Sequence, residues 1–252
     1  MTIMRFLTTD SATGRLLTWG RGVLEILILL VTRPSRRSLR FASMILRVKP
    51  RFTMVNNANL IHLYETVESA AKEGLAGAIV ECGVWNGGSA AVMALADREA
   101  RGPSAAPRPV WLFDSFEGLP PPKEKDDRKA LEHYFEGMNK GSIEAVKRVF
   151  TNLKLPLERL TITKGWFEQT LPKAELPATA ILHIDADWYD SVKVVMETCY
   201  PKVVPGGYVI LNDYGFWEGC DRAVEDYFAE RKLAQPEIVR VGRVGGYFRK
   251  PA

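Results

Sequence analysis

The chain has 252 residues, of which 46% are hydrophobic and 25% charged, with a formal net charge of +4 and a pI near 8.9. That balance is ordinary for a globular protein and suits one large α/β domain with additions. The basic excess gathers near the N-terminus (Arg15, Arg21, Arg33, Arg36, Arg37, Arg40, Arg47, Lys49, Arg51), and no basic stripe with interleaved aromatics follows, so no nucleic-acid partner is expected.

Residues 1–50 read as a basic, helical N-terminal extension interrupted at Pro34, and residues 51–252 as the main domain. The run Val23–Val31 is apolar except for Glu25. It is shorter than the roughly 20 residues that span a bilayer. It has basic flanks, but no small-residue cleavage site of a signal peptide follows it. It reads as a helix buried in the fold or at a subunit interface. The alternative is a helix on a membrane surface, giving residues 20–50 a peripheral membrane contact. Cys82, Cys199 and Cys220 lack metal-ligand spacing and fit a reducing, cytoplasmic setting.

Asn59–Lys72 has helical spacing, with Leu60, Leu63, Val67 and Ala70 on one face. Strands and helices then alternate. Strands are expected at Ala78–Val84, Val110–Phe113, Arg159–Thr163, Ala180–Ile184 and, after the turn Pro205–Gly206–Gly207, Tyr208–Leu211. Helices are expected at about Ser89–Ala100, from the end of the fourth strand through about Cys199, and at Cys220–Arg231. Ile238–Val241 and Gly246–Arg249 flank a Gly-rich turn and read as a hairpin. The alternation implies an α/β fold: a doubly wound, mostly parallel sheet with an antiparallel C-terminal hairpin. The segment at about 120–140 breaks this rhythm. It starts with three prolines, becomes highly charged (KEKDDRK), then carries Leu131, His133, Tyr134 and Phe135. It reads as a lid, or else as a solvated loop.

Three stretches carry chemistry at expected strand ends, where open α/β sheets bind ligands. In VECGVWNGGS (Val80–Ser89), Glu81 precedes a Gly-rich turn that leads into a helix, an arrangement suited to a ligand with a cationic amino group. It is neither GxGxxG nor a phosphate loop, so nucleoside triphosphate binding is not expected. In WLFDSFEGLP, Asp114 stands where such folds place a ribose-binding acid, or serves as a cap. In ILHIDADWYDS, Asp185 and Asp187 leave a buried strand, and Asn212–Asp213 end the next one or form a simple turn. Their oxygens suit a hard cation such as Mg²⁺, with a general base beside it. Of the histidines, His183 reads as a core residue and His62 as structural, while His133 in the lid is the one expected to contact substrate.

ECGVWNGGS, DSFEGLP, KGWFEQTLP, HIDADWYDS and YPKVVPGGYVILNDY together, in unbroken order from about Arg51 to about Phe248, resemble the macrocin-type O-methyltransferases. The resemblance implies a class I Rossmann-like methyltransferase that uses S-adenosylmethionine and Mg²⁺ on sugar hydroxyls of natural products. It assigns Met54, Val55, Glu81, Gly83 and Ser89 to the cofactor, with Asp114 on the ribose and Ser115 beside it. Gly165 and Trp166 fall at the adenine. Asp185 falls beside the cofactor and is also a metal ligand, with Asn212 and Asp213. Asp187 matches the family's general base, and His133 joins it in the catalytic set. Family members often have Asp-Asp where this chain has Asn212–Asp213, so one negative charge is missing. The expectation is therefore a metal-dependent O-methyltransferase with a sugar-containing acceptor, assembled as a dimer or larger homo-oligomer. A small-phenol (catechol-type) O-methyltransferase and a non-catalytic cofactor-binding protein are the alternatives.

Overall fold

Mostly apolar runs form the central sheet of the computed structural model, which describes residues 12–251. Residues 1–11 of the expected N-terminal extension lie outside the described residues. Five strands are parallel: β1 (Ala78–Cys82), β2 (Val110–Asp114), β3 (Leu160–Lys164), β4 (Thr179–Ile184) and β5 (Val203–Leu211). The expected hairpin, β6 (Val239–Arg240) and β7 (Gly246–Arg249), adds antiparallel to β5. The order is β3-β2-β1-β4-β5-β7-β6. The order reverses between β1 and β4, and the crevice beyond that reversal is where such sheets take ligands.

β1 and β4 are buried along their whole length because both faces are covered, whereas β3 (LTITK), at the sheet edge, is partly exposed. Ile79, Leu112, Ile181 and Ile210 face one core with α3 (Asn57–Lys72), α4 (Gly88–Arg101) and α6 (Ile143–Asn152). Val80, Phe113, Leu182 and Val209 face the other, with α8 (Tyr189–Cys199) and α9 (Glu218–Glu230), and the one-turn α7 (Phe167–Thr170) packs on it through Phe167. The α3 stripe is as expected: Leu60, Leu63, Val67 and Ala70 are all buried, the two leucines and the valine contributing roughly 1.5–3 kcal/mol each. Pro34 separates α1 (Ala12–Thr32) from α2 (Arg36–Val48), as a proline that lacks an N–H donor should. The run Val23–Val31 is only half inside the fold. Ile26 is buried, and Leu29 and Leu30 pack on the core, while other members stay exposed.

Two expectations are corrected. β5 begins at Val203, ahead of the anticipated turn: Thr179 pairs with Val203 and Ile181 with Tyr208, so Val204–Gly207 bulge out of an otherwise continuous ladder. Helix α6 was not anticipated. Its signal was present, with Ser142 accepting from the Ala145 amide as N-cap and Val146, Val149 and Phe150 buried on one face.

The 120–140 segment is tied down along its length. Trp188 Nε1 donates to the Pro120 carbonyl at 2.8 Å, and the Leu119 amide donates to the Met138 carbonyl at 2.8 Å. Lys140 and Lys164 both pair with Glu117 and hold its carboxyl down to about 2. The adjacent acids of the charged run are buried and cap two different helices. Asp126 accepts from the Tyr189 amide that opens α8 (2.7 Å), and Asp127 Oδ2 accepts from the Glu218 amide that opens α9 (3.0 Å). Asp127 Oδ1 also caps the segment's own short helix α5 (Arg128–His133) through Ala130. Asp126→Ala and Asp127→Ala should each cost about 1 kcal/mol, as cap removals do. Urea unfolding measures this, and faster hydrogen exchange at the starts of α8 and α9 should accompany it.

Candidate active site

The cleft opens beyond the carboxyl ends of β1, β2 and β4 and holds about 630 Å³ of open space, counted to its mouth. Gly83, Asp114, Ser115, Asp185 and Asp187 line it from the strand ends, with Met54 and Trp166 from flanking loops. Gly83 has φ +90°, and a Cβ there would fall 1.7 Å from the Asp185 carbonyl oxygen, so no other residue fits between β1 and β4. Trp85, Asn139 and Asp187 also line the cleft, and each adopts a left-handed backbone (φ +49°, +61° and +55°). Such conformations cost roughly 1–3 kcal/mol in a non-glycine residue, and they cluster at functional sites.

Asp114 holds the β1 turn in place. Its Oδ2 accepts from the amides of Val84 (2.7 Å) and Trp85 (2.9 Å), and its Oδ1 from that of Phe116 (2.6 Å). Burial raises its carboxyl above the usual range, and these three amides work against the rise. Three of about four acceptor positions on the carboxylate are thus filled by the protein itself. Asp114 is thus the cap of the turn, one of the two roles anticipated for it, and it also forms part of the cleft wall.

At the ends of β4 and β5 three carboxylates converge. Asn212 Nδ2 donates to Asp185 Oδ1 at 2.9 Å and to Asp213 Oδ1 at 3.3 Å, and the Asp187 amide donates to Asp213 Oδ2 at 3.3 Å. Trp217 Nε1 donates to Asp187 Oδ1 at 2.8 Å. All three acids are pushed well above the usual carboxylate range. Burial is the first cause in each; next come the charges of Asp187 and Glu81 on Asp185, of Asp213 on Asp187, and of Asp185 on Asp213. Among the described residues no lysine or arginine pairs with any of them.

The other anticipated residues lie behind the cleft or away from it. Glu81 is fully buried beneath it and bonded to His183 Nδ1 at 2.8 Å, its partner across the β1–β4 ladder. His183 is therefore a paired core residue. Val55 and Ser89 are buried and do not line the cleft, and the Gly165 amide, next to Trp166, donates a hydrogen bond to the Asp114 carbonyl at 2.9 Å. His133 is exposed on α5, its Nδ1 on the Lys129 carbonyl of the same helix, and it does not line the cleft. Trp85, Leu119, Asn139, Phe167 and Glu168 line the cleft without having been anticipated. The first lies in the Gly-rich motif and the last two in KGWFEQTLP, so proximity to motif residues was their available signal.

The family model described as macrocin O-methyltransferase matches residues 46–250. The chain belongs to the macrocin O-methyltransferase family. Within that family it is 35% identical over 201 residues to the demethyldecarbamoylnovobiocin O-methyltransferase of Streptomyces niveus, covering 79% of this chain and 75% of that protein. It is 33% identical over 205 residues to the mycinamicin III 3''-O-methyltransferase of Micromonospora griseorubida, covering 79% of each. The solved structure of the O-methyltransferase NovP superimposes with a TM-score of 0.72 at 31% identity, over 93% of this chain and all of that one. The seven-stranded sheet and its flanking helices are thus a methyltransferase fold of this family.

A divalent metal is part of what the resemblance implies. Among the described residues no three His, Cys, Asp or Glu side chains are arranged to hold an ion. Asp185, Asn212 and Asp213 nevertheless offer only oxygen acceptors and one carboxamide, and no lysine or arginine among the described residues pairs with the two acids. That donor chemistry fits a hard cation. Asn212 now turns its NH₂ toward the acids and its Oδ1 toward Asn59 Nδ2 at 3.3 Å. Ligation requires the amide to turn over.

Proposed function

We propose that this chain is an S-adenosylmethionine- and Mg²⁺-dependent O-methyltransferase acting on a hydroxyl of a sugar-bearing acceptor. The observation that carries the reading is Asp187. It lines the cleft on a left-handed turn with Oδ1 held by the Trp217 indole, and no group among the described residues bonds its Oδ2. Asp187 Oδ2 accepts the acceptor hydroxyl's proton as that oxygen attacks, and Trp217 keeps the carboxylate from rotating away. Met54, Gly83, Asp114, Ser115 and Trp166 form the wall against which the methyl donor is held. Asp185, Asn212 and Asp213 hold the cation. When bound, the donor supplies an electrophilic methyl group and the cation the Lewis acidity that lowers a hydroxyl's pKa. Leu119, Pro120 and Asn139, at the two ends of the tethered segment, line the cleft and would help to keep water from the reacting oxygen. The relatives named above, which methylate demethyldecarbamoylnovobiocin and the 3'' oxygen of mycinamicin III, support a glycoside acceptor over a small phenol. The test is a methyl-transfer screen over glycosides and catechols, read by mass shift with and without Mg²⁺. Transfer to catechols alone, or to nothing, would reject the reading.

Donor binding has its own test. Asp114→Ala removes the acceptor of three turn amides, so the wall at Val84–Trp85 should relax and donor affinity should fall about tenfold or more. Thermal shift measures it: S-adenosylmethionine stabilises the wild-type fold by mass action, and the variant should need correspondingly more. No shift for wild type at millimolar donor would count against the cleft as its site.

A further inference from the structure

Helix α1 is apolar on two sides. One side packs on the core through Ile26, Leu29 and Leu30. On the other, Leu24, Leu27, Ile28 and Val31 are 57, 53, 52 and 79% exposed. Their spacing, i, i+3, i+4 and i+7, makes one continuous stripe, and a helix apolar all round is ordinarily covered.

The surrounding charge indicates what covers it. From Ala12 to Arg51 the sequence has nine basic residues and one acid, Glu25. Arg37 is taken up by Glu65 and Glu68, and Arg40 by Tyr64 and Glu99. Arg33 and Arg36 are exposed just past the stripe and form no ion pair among the described residues. A second copy docked face to face would set its own basic segment against this one, and like charge opposes that. Four aliphatic side chains are also far fewer than the roughly 20–30 residues a side of a standard protein interface. An anionic lipid surface meets both features at once, since apolar side chains enter the acyl boundary and arginines meet headgroup phosphates.

We propose that the exposed face of α1 docks on an anionic membrane surface, with Leu24, Leu27, Ile28 and Val31 inserted and Arg33 and Arg36 on the phosphates. The helix lies on the bilayer: among the described residues no helix is long and apolar enough to cross a membrane.

The test is sedimentation of the full chain with vesicles of phosphatidylcholine, with or without about 30% phosphatidylglycerol. Wild type should sediment with the anionic vesicles several-fold more than with the neutral ones, and less at high salt. Val31→Glu changes the most exposed position of the stripe and leaves the core untouched. It, and separately Arg33→Glu with Arg36→Glu, should weaken vesicle binding about tenfold or more. Melting temperature and methyl transfer to a soluble acceptor should stay unchanged, so vesicle binding and the proposed chemistry are read independently. Three results would overturn the proposal: no binding by wild type, equal binding by Val31→Glu, or a wild-type dimer by light scattering that Val31→Glu splits into monomers. The last would assign the stripe to a second copy.

Discussion

Asp187→Asn should lower turnover by about 10²-fold or more, the usual contribution of a general base, with the fold intact. The substitution keeps the size of the side chain. Its Oδ1 still accepts from the Trp217 indole, and asparagine tolerates the left-handed conformation that residue 187 adopts (φ +55°). What it loses is the capacity to take a proton. Single-turnover mass-shift kinetics should therefore show a fall in kcat with little change in KM for either substrate. Trp217→Phe is the companion. It keeps a ring against Trp188, whose centroid lies 5.0 Å away, but removes the N–H that orients the base. A smaller loss, of about tenfold, is expected from misorientation alone. Turnover by Asp187→Asn at the wild-type rate would remove Asp187 from the mechanism, whatever the acceptor proves to be.

What the sequence shows of this molecule follows from how local each signal is. The buried strands were legible because a strand covered on both faces is largely apolar, and Asp114 at the end of β2 and Asp185 just after β4 stand where the apolar run stops. Asp185 and Asp187 could therefore be placed in the cleft before the fold was seen. The charged run at 123–129 misled for the opposite reason. Charge next to prolines looks solvated, yet Asp126 and Asp127 are buried because they cap helices that start at Tyr189 and Glu218. Their partners lie far along the chain, and nothing local announces them. The same holds for Trp217: its indole reaches Asp187 only because the β5–α9 turn folds back over the β4 terminus. His133 looked suited to catalysis by residue type and by its place in an insertion. Helix phase decided otherwise, turning its ring onto its own backbone. Glu81 and His183 were each read alone, one as a ligand contact and one as core. The β1–β4 register makes them a pair.

The metal-free protein should lose stability as pH rises above about 3.8 and through the raised values of its cleft carboxylates, and Mg²⁺ should weaken that dependence. Asp185, Asp187 and Asp213 are held well above their ordinary value of 3.8, by burial first and by one another's charge next. The folded state thus keeps protons that the unfolded chain gives up. Where the native state binds more protons than the unfolded one, stability falls with rising pH. That stability is fully present below about 3.8, the unfolded value, and is lost as pH climbs through the raised folded values. A cation among these oxygens favours their charged forms, so its gain in melting temperature should grow as pH rises, flattening the slope. Asp185→Ala and Asp213→Ala each remove a repelling carboxylate and a charged ligand. Both should flatten the slope without metal, lose the response to Mg²⁺, and reduce turnover by at least the roughly 10–100-fold that even outer partners of metal sites cost. Asn212→Asp should do the reverse to metal affinity. It removes the NH₂ that now bridges Asp185 and Asp213, adds a third charge, and should steepen the metal-free pH dependence while tightening Mg²⁺. Thermal melts across pH with chelator or Mg²⁺, beside titration calorimetry, separate these outcomes. A pH slope identical in wild type and Asp185→Ala would take the carboxylates out of the account. Wild-type activity undiminished in chelator would take the metal out and leave Asp187 to act without it.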